Sequence, residues 1–237
     1  MTDKTRRHHL TEESKKNKSR LFRLSMWHNG LIKKKAFLFK AIKDYYFYNA
    51  DFPKWTLSSG AKSQFYFDTR HLLQNWIYWR YAADTVRLTI LIDYVNDDKH
   101  EAFFNGSIGG LETGAILLSN ALTHVMPMHG FYVRKQPKDH GADKLVVSAR
   151  DLNDREVIIV DDIVTTGGSI NQAINGVLKE YPMAKINRVY SLIDRTAEFN
   201  PNGTDIINGE IGIKYTPIFL SSEFIKPFYD RRKELGL

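Results

Sequence analysis

Four consecutive aliphatic residues, Val157-Ile158-Ile159-Val160, run into Asp161-Asp162 and then into Ile163-Val164-Thr165-Thr166-Gly167-Gly168-Ser169. No other stretch of the 237-residue chain restricts the fold as tightly. An unbroken apolar run of strand length must be covered on both faces, the situation of an inner strand in a parallel sheet. Carboxylates at the carboxyl end of such a strand stand where open α/β sheets bind their ligands. The small and hydroxylated residues that follow let the backbone fold closely around an oxyanion. The first free N–H groups of the next helix then point at it, aided by the positive end of the helix dipole. An anion cradle beside two acids does not suit a ligand that is phosphate throughout. It suits a phosphosugar, with phosphate in the turn, donors added by Thr165, Thr166 and Ser169, and sugar hydroxyls on Asp161 and Asp162. The plainer alternative is a strand-to-helix turn with Ser169 as its cap and solvated acids. The full combination favours the phosphosugar. Neither a Walker A sequence nor Gly-x-Gly-x-x-Gly occurs, so nucleotide-hydrolase and dinucleotide readings lack their signatures.

The rest of the chain alternates in keeping with this strand. Ile32, Phe37, Leu38, Ala41, Ile42 and Tyr45 at helical spacing predict an amphipathic helix over Leu31–Tyr48. Residues 1–25, polar and without period, are expected to lack regular structure. Trp55-Thr56-Leu57 meets a turn signal at Ser58-Ser59-Gly60, and Phe65-Tyr66-Phe67 reads as a strand. His71–Ala83 reads as a helix, Val86–Ile92 fits helix or strand, and Asn96–Lys99 is a polar loop. Phe103 and Phe104 lead through Gly106 and a Gly109-Gly110 turn to Thr113-Gly114 and a helix over Ala115–Leu122. Phe131–Val133, Leu145–Val147, Ile186–Ile193 and Ile211–Phe219 read as strands; Ser169–Lys179 and part of Ser221–Glu234 read as helices. The Trp76, Tyr78 and Trp79 cluster is expected in the core. Strands alternating with helices predict an α/β fold with a central, mostly parallel sheet flanked by helices.

Cysteine is absent, which excludes disulfides, thiolate nucleophiles and cysteine-based zinc sites. No run nears the roughly 18 apolar residues of a membrane span, and no signal-peptide pattern opens the chain, so a cytoplasmic protein without a membrane partner is expected. The net charge of +7 is uneven: residues 1–43 hold 13 Lys/Arg against 3 Asp/Glu, and the remainder is net negative. Such an arm, with His8-His9 as part of its composition, is either a solvated, flexible extension over residues 1–30 or a non-specific contact for nucleic acid.

The Val157–Ser169 segment resembles the motif of type I phosphoribosyltransferases that binds phosphoribosyl pyrophosphate (PRPP), and three further stretches resemble the orotate branch of that family. Trp55-Thr56-Leu57-Ser58-Ser59-Gly60-Ala61-Lys62-Ser63 is similar to its early Leu-x-Ser-Gly-x-x-Ser segment. Arg134-Lys135-Gln136-Pro137-Lys138-Asp139-His140-Gly141 is similar to its mobile catalytic loop. Leu192-Ile193-Asp194-Arg195 resembles the strand end that delivers a base-binding arginine. The resemblance covers roughly residues 40–235 in family order. It implies a phosphoribosyltransferase domain over residues 31–237 with a small hood built from about 40–70 and 200–237. It also implies transfer of the phosphoribosyl group from PRPP to orotate with Mg²⁺ held mainly by PRPP and water, and a homodimer whose lid loop is shared across subunits.

By this resemblance PRPP meets Arg134, Lys135, Lys138, His140 and the run from Asp161 to Ser169. That run comprises Asp161, Asp162, Ile163, Val164, Thr165, Thr166, Gly167, Gly168 and Ser169. Orotate meets Thr165 and Arg195. Lys138 and Asp162 are the catalytic candidates: cations on the lid would stabilise charge growing on departing pyrophosphate, and Asp162 would stabilise a cationic sugar. Alone, the 134–140 run would be a solvated charge run and Arg195 a surface ion pair. Arg195 otherwise offers a planar fork for a carboxylate. Gly110-Leu111-Glu112-Thr113-Gly114 is either the pyrophosphate-side loop or a plain strand-helix turn. Ser58 stands where some relatives carry lysine, and Lys62 is the candidate substitute. Two alternatives remain at this level: a phosphoribosyltransferase for another base, and a PRPP-sensing, nucleic-acid-binding regulator on the same fold.

Overall fold

The computed structural model describes residues 3–48, 55–57, 60, 62–97, 105–137, 144–199 and 213–234. Its centre is a six-stranded sheet built from β5 (Ser107–Leu111), β6 (His129–Val133), β7 (Val146–Ser148), β8 (Glu156–Val164), β9 (Lys185–Asp194) and β10 (Lys214–Leu220). The order is β10-β9-β8-β5-β6-β7, parallel throughout except for the β6–β7 edge pair. The mostly parallel α/β expectation therefore holds.

The apolar run is inner strand β8, buried on both sides. Ile158 and Val160 join one core with Leu118 and Leu122 of α4 (Gly114–Val125), Val86 and Ile90 of α3 (Trp76–Asn96), and Leu72 of α2 (Thr69–Gln74). Val157 and Ile159 face the other core with Ile170, Ile174 and Val177 of α5 (Gly168–Glu180). The alternation follows from the two-residue period of a strand. Full burial of each such aliphatic contributes about 1.5–3 kcal/mol.

Several boundaries differ from expectation. The glycine pair Gly109-Gly110 lies inside β5, not in a turn, because a Cβ at either position would collide with backbone of the flanking strands. Val86–Ile92 is helical, and the preceding helix breaks at Asn75, whose side chain caps α3 through Ile77 N–H at 3.0 Å. Tyr46–Tyr48 forms β1 and does not continue the helix; it pairs antiparallel with β4 (Phe65–Phe67), where aromatic pairs such as Tyr46–Phe65 stack. Trp76 is exposed, whereas Trp79 donates its indole N–H to Leu117 O at 3.2 Å.

The largest difference is at the N-terminus. Helix α1 spans Asp3–Asp44 without a break at residue 30, about 63 Å at 1.5 Å per residue. It runs antiparallel to α3: Arg20 donates to Val95 O at 2.7 Å, Lys34 pairs with Asp84 at 2.9 Å, and Leu38 and Ile42 are buried in the core. Arg20 and Lys34 supply polar anchors along α1, and the large apolar residues Leu21, Phe22 and Met26 are exposed, so the pattern of the sequence concealed the helix.

The hood comprises β1, β4 and the small pair β2 (Trp55–Thr56) and β3 (Lys62–Ser63). The C-terminal contribution divides. β10 is an edge of the central sheet, while α6 (Ser222–Glu234) reaches the hood, with Phe224 edge-on to Phe67 and Tyr229 edge-on to Phe65. Phe103, Phe104, residues 98–99 of the expected polar loop and residues 200–212 of the expected hood lie outside the described residues. Among the described residues no helix is long and apolar enough to cross a membrane.

Candidate active site

A cavity of about 390 Å³ opens beyond the carboxyl end of β8, lined by Leu111, Lys135, Asp161, the stretch Ile163–Ile170 and Gln172. The sequence-derived candidates Ile163, Val164, Thr165, Thr166, Gly167, Gly168 and Ser169 thus come together with Asp161 and Lys135. Gly167 sits at φ 78°, the left-handed region where an L side chain is strained, and it is the N-cap of α5. No side chain caps this helix end, and Ser169 lies inside the helix; it does not serve as the cap. Its first N–H groups are therefore not taken by a capping side chain and lie at the cavity wall, the arrangement that receives an anion.

The two acids do not stand past the strand end. Both belong to β8, where Asp161 pairs in register with Ser191, and they project from opposite faces. Asp161 lines the cavity. Asp162 is absent from its wall and turns toward the start of α4, where a Cβ on Gly114 would collide with its Oδ1. Asp162 accepts the Thr69 hydroxyl at 2.7 Å and the Ile163 N–H at 2.9 Å. Burial, and next the adjacent Asp162 carboxylate, push the Asp161 carboxyl well above the usual carboxylate range, with Lys135 pulling the other way. A buried carboxyl of this kind gains from any hydroxyl donor or cation brought to it.

The second helix flanking the acids, α4, also begins without a side-chain cap. The preceding segment joins the base of the lid: Glu112 Oε1 accepts the Lys135 N–H at 3.0 Å, and Gln172 donates its side-chain amide to Lys135 O at 3.0 Å. Arg134 is turned along the base of the loop toward Lys144 O at 3.3 Å and does not enter the cavity. Lys138, Asp139, His140 and Gly141 lie outside the described residues, as does Ser58. Lys62, exposed, donates to Thr56 Oγ1 at 2.8 Å across the β2–β3 pair.

Arg195 departs most from expectation. It is 1% exposed, and its fork does not stand open to a substrate carboxylate. Nε and Nη2 bind Glu198, Nη2 also reaches Ser63 Oγ at 2.9 Å, and Nη1 reaches Phe65 O at 3.4 Å. The early segment with Ser63 and the strand end with Arg195 thus meet, but as a brace for the hood.

Sequence reasoning missed Gln172 and Thr69. Gln172 stands three residues beyond Ser169, one helical turn along the same face, which is a usable signal. Glu112 lies in the glycine-bearing segment already singled out. Nothing in the sequence pointed to Thr69, because its partner is 93 residues away.

A mostly parallel sheet with paired carboxylates near the end of an inner strand and an anion cradle just beyond it defines a type I phosphoribosyltransferase domain, and comparison with known proteins agrees. Residues 100–210 match the phosphoribosyl transferase domain model. A solved phosphoribosyltransferase from Corynebacterium diphtheriae superposes with TM-score 0.62 at 23% identity, covering 80% of this chain and 97% of that one. The orotate phosphoribosyltransferase of Mycobacterium tuberculosis gives TM-score 0.61 at 23% identity, covering 79% and 96%. These two show the fold. An orotate phosphoribosyltransferase of Bradyrhizobium diazoefficiens is 32% identical over 180 residues, 72% of this chain and 87% of its own length. The chain belongs to the orotate phosphoribosyltransferase family.

Proposed function

We infer that the protein transfers the 5-phosphoribosyl group of PRPP to orotate, giving orotidine 5′-phosphate and pyrophosphate. One observation carries the reading: a single cavity brings the uncapped start of α5 and buried Asp161 together, an anion cradle beside a hydroxyl acceptor. The 5-phosphate sits against the N–H groups of the Thr165–Ser169 turn. The ribose straddles the end of β8, reaching Asp161 on one side and Asp162 on the other. Pyrophosphate lies toward the uncapped start of α4 and the Gly110–Gly114 segment, with Lys135 at the lid base. Orotate approaches past Thr165 beneath the hood that Arg195 braces.

As the bond from the anomeric carbon to pyrophosphate breaks, negative charge grows on the leaving oxygens and positive charge on the sugar. Lys138 and His140, on the lid, and Lys135 meet the first; Asp162 meets the second. Arg134 joins them only if loop closure turns it from Lys144. Closure also excludes water that would hydrolyse PRPP.

Mg²⁺ fits this site as a guest of the substrate. The described residues contain no group of three or more carboxylate or imidazole ligands, but they offer two hard-oxygen carboxylates, Asp161 and Asp162, to its water shell. When bound through PRPP and water it neutralises pyrophosphate charge.

The functional unit in this reading is a cytoplasmic homodimer in which each lid serves the neighbouring site. Mixing two inactive variants, Lys138→Ala and Asp161→Asn, tests the sharing: partial recovery of activity is expected, and none would mean that each subunit uses its own lid. Base choice is tested by supplying uracil or a purine in place of orotate; turnover of those and not of orotate would select the other branch.

A further inference from the structure

We propose that Thr69 is a positioning residue for Asp162, and that through it the hood over the base and the carboxylate beneath the ribose are set together. The inference rests on the phosphoribosyl-transfer reading above.

Thr69 is buried at the start of α2, two residues beyond hood strand β4. Its hydroxyl donates to Asp162 Oδ2 at 2.7 Å, joining positions 93 residues apart. The other carboxylate oxygen accepts the Ile163 N–H at 2.9 Å and lies against Gly114, where no side chain could fit. A carboxylate offers about four lone-pair sites. Contacts on both oxygens fix its plane while leaving acceptor capacity for a sugar hydroxyl.

The hydroxyl is not needed to start α2. Asp68 does that, accepting the His71 N–H at 3.2 Å. The orientation of the Thr69 side chain therefore serves Asp162 and not its own helix. The other end of β4 is held as well, since Arg195, just past β9, reaches Phe65 O and Ser63 Oγ. Strand β4 is thus pinned near Phe65 to the end of β9 and, through Thr69, to the end of β8. Displacement of the hood by a bound base would reach Asp162 through Phe67, Asp68 and Thr69.

The test separates hydroxyl from shape. Thr69→Val keeps the volume and loses the donor; Thr69→Ser keeps the donor and loses a methyl group. Steady-state kinetics of the full chain should show KM for PRPP raised about tenfold in Thr69→Val, with KM for orotate changed far less. Thr69→Ser should restore KM for PRPP to within about threefold of wild type, even where the lost methyl group lowers its Tm. Should Thr69→Val fail to fold, Thr69→Ala poses the same question. If both the serine and the valine variants lose activity in step with Tm and without the split between substrates, Thr69 is a packing residue and the proposal falls. Asp162→Asn in the same series separates this from the site reading. If Asp162→Asn impairs PRPP use and Thr69→Val does not, only the coupling is wrong; if Asp162→Asn leaves PRPP use intact, the placement of ribose is wrong and the coupling goes with it.

Discussion

Arg195 holds both oxygens of Glu198, Nε to Oε1 at 3.1 Å and Nη2 to Oε2 at 2.8 Å, with the guanidinium 1% exposed. The pair is a bidentate fork closed within the chain, three residues apart, and its remaining contacts tie β9 to the hood. Removing Glu198 leaves the buried guanidinium without its carboxylate but with its Ser63 and Phe65 partners, and because Glu198 itself is exposed the cost is about 1.5–3 kcal/mol.

Glu198→Ala should therefore lower Tm by roughly 3–12 °C for a domain of this size. Arg195→Ala should also destabilise, and it should raise KM for orotate through a loosened hood. Thermal melts and kinetics of the two variants check this. A Tm unchanged in both would mean that the pair does not brace the fold.

Gly167→Ala forces a side chain into the left-handed region, costing about 1–2 kcal/mol. The expected outcome is a Tm lower by roughly 2–8 °C together with weaker PRPP binding by calorimetry, because the cradle N–H groups turn with the backbone. Binding as tight as in wild type would remove this turn from the phosphate site.

Asp161 gives a pH signature. Its carboxyl titrates higher folded than unfolded, chiefly through burial. The folded state then binds more protons than the unfolded state once pH rises above the ordinary aspartate value of about 3.9, so stability falls as pH rises toward the folded value. Asp161→Asn abolishes that loss. The variant should melt at higher temperature than wild type at neutral pH, the difference closing near pH 4, while its use of PRPP is crippled. A variant less stable than wild type at pH 7 would contradict the assignment.

On the lid, Lys138→Ala should reduce kcat on the order of 10²–10³-fold with a much smaller change in PRPP binding. An unchanged kcat would take the lid out of the mechanism.

The cavity wall was largely legible in the sequence because its residues are contiguous. The run Asp161–Ser169 carries strand, cradle and helix start within one segment, and local spacing encodes all three. Contacts made across the fold were not legible. Thr69 reaches Asp162 only after β4 and β8 are placed, and Arg195 reaches Ser63 and Phe65 only after the hood lies against the end of β9. The face taken by Asp162 escaped notice because the apolar run seemed to end at Val160, whereas pairing of Ile163 and Val164 with Ile193 and Asp194 extends the strand past both acids. Helix α1 escaped for a different reason: polar residues fasten it to α3, and apolar periodicity detects only apolar anchors.

The most direct measurement follows orotate absorbance when the purified full chain meets PRPP and Mg²⁺. A phosphoribosyl group gripped by the β8 carboxylates and the α5 cradle predicts steady loss of orotate with one pyrophosphate released per orotate consumed, and near-complete loss of that rate in Asp161→Asn. Orotate left untouched by a chain that still binds PRPP, or an Asp161→Asn variant as fast as wild type, would contradict it.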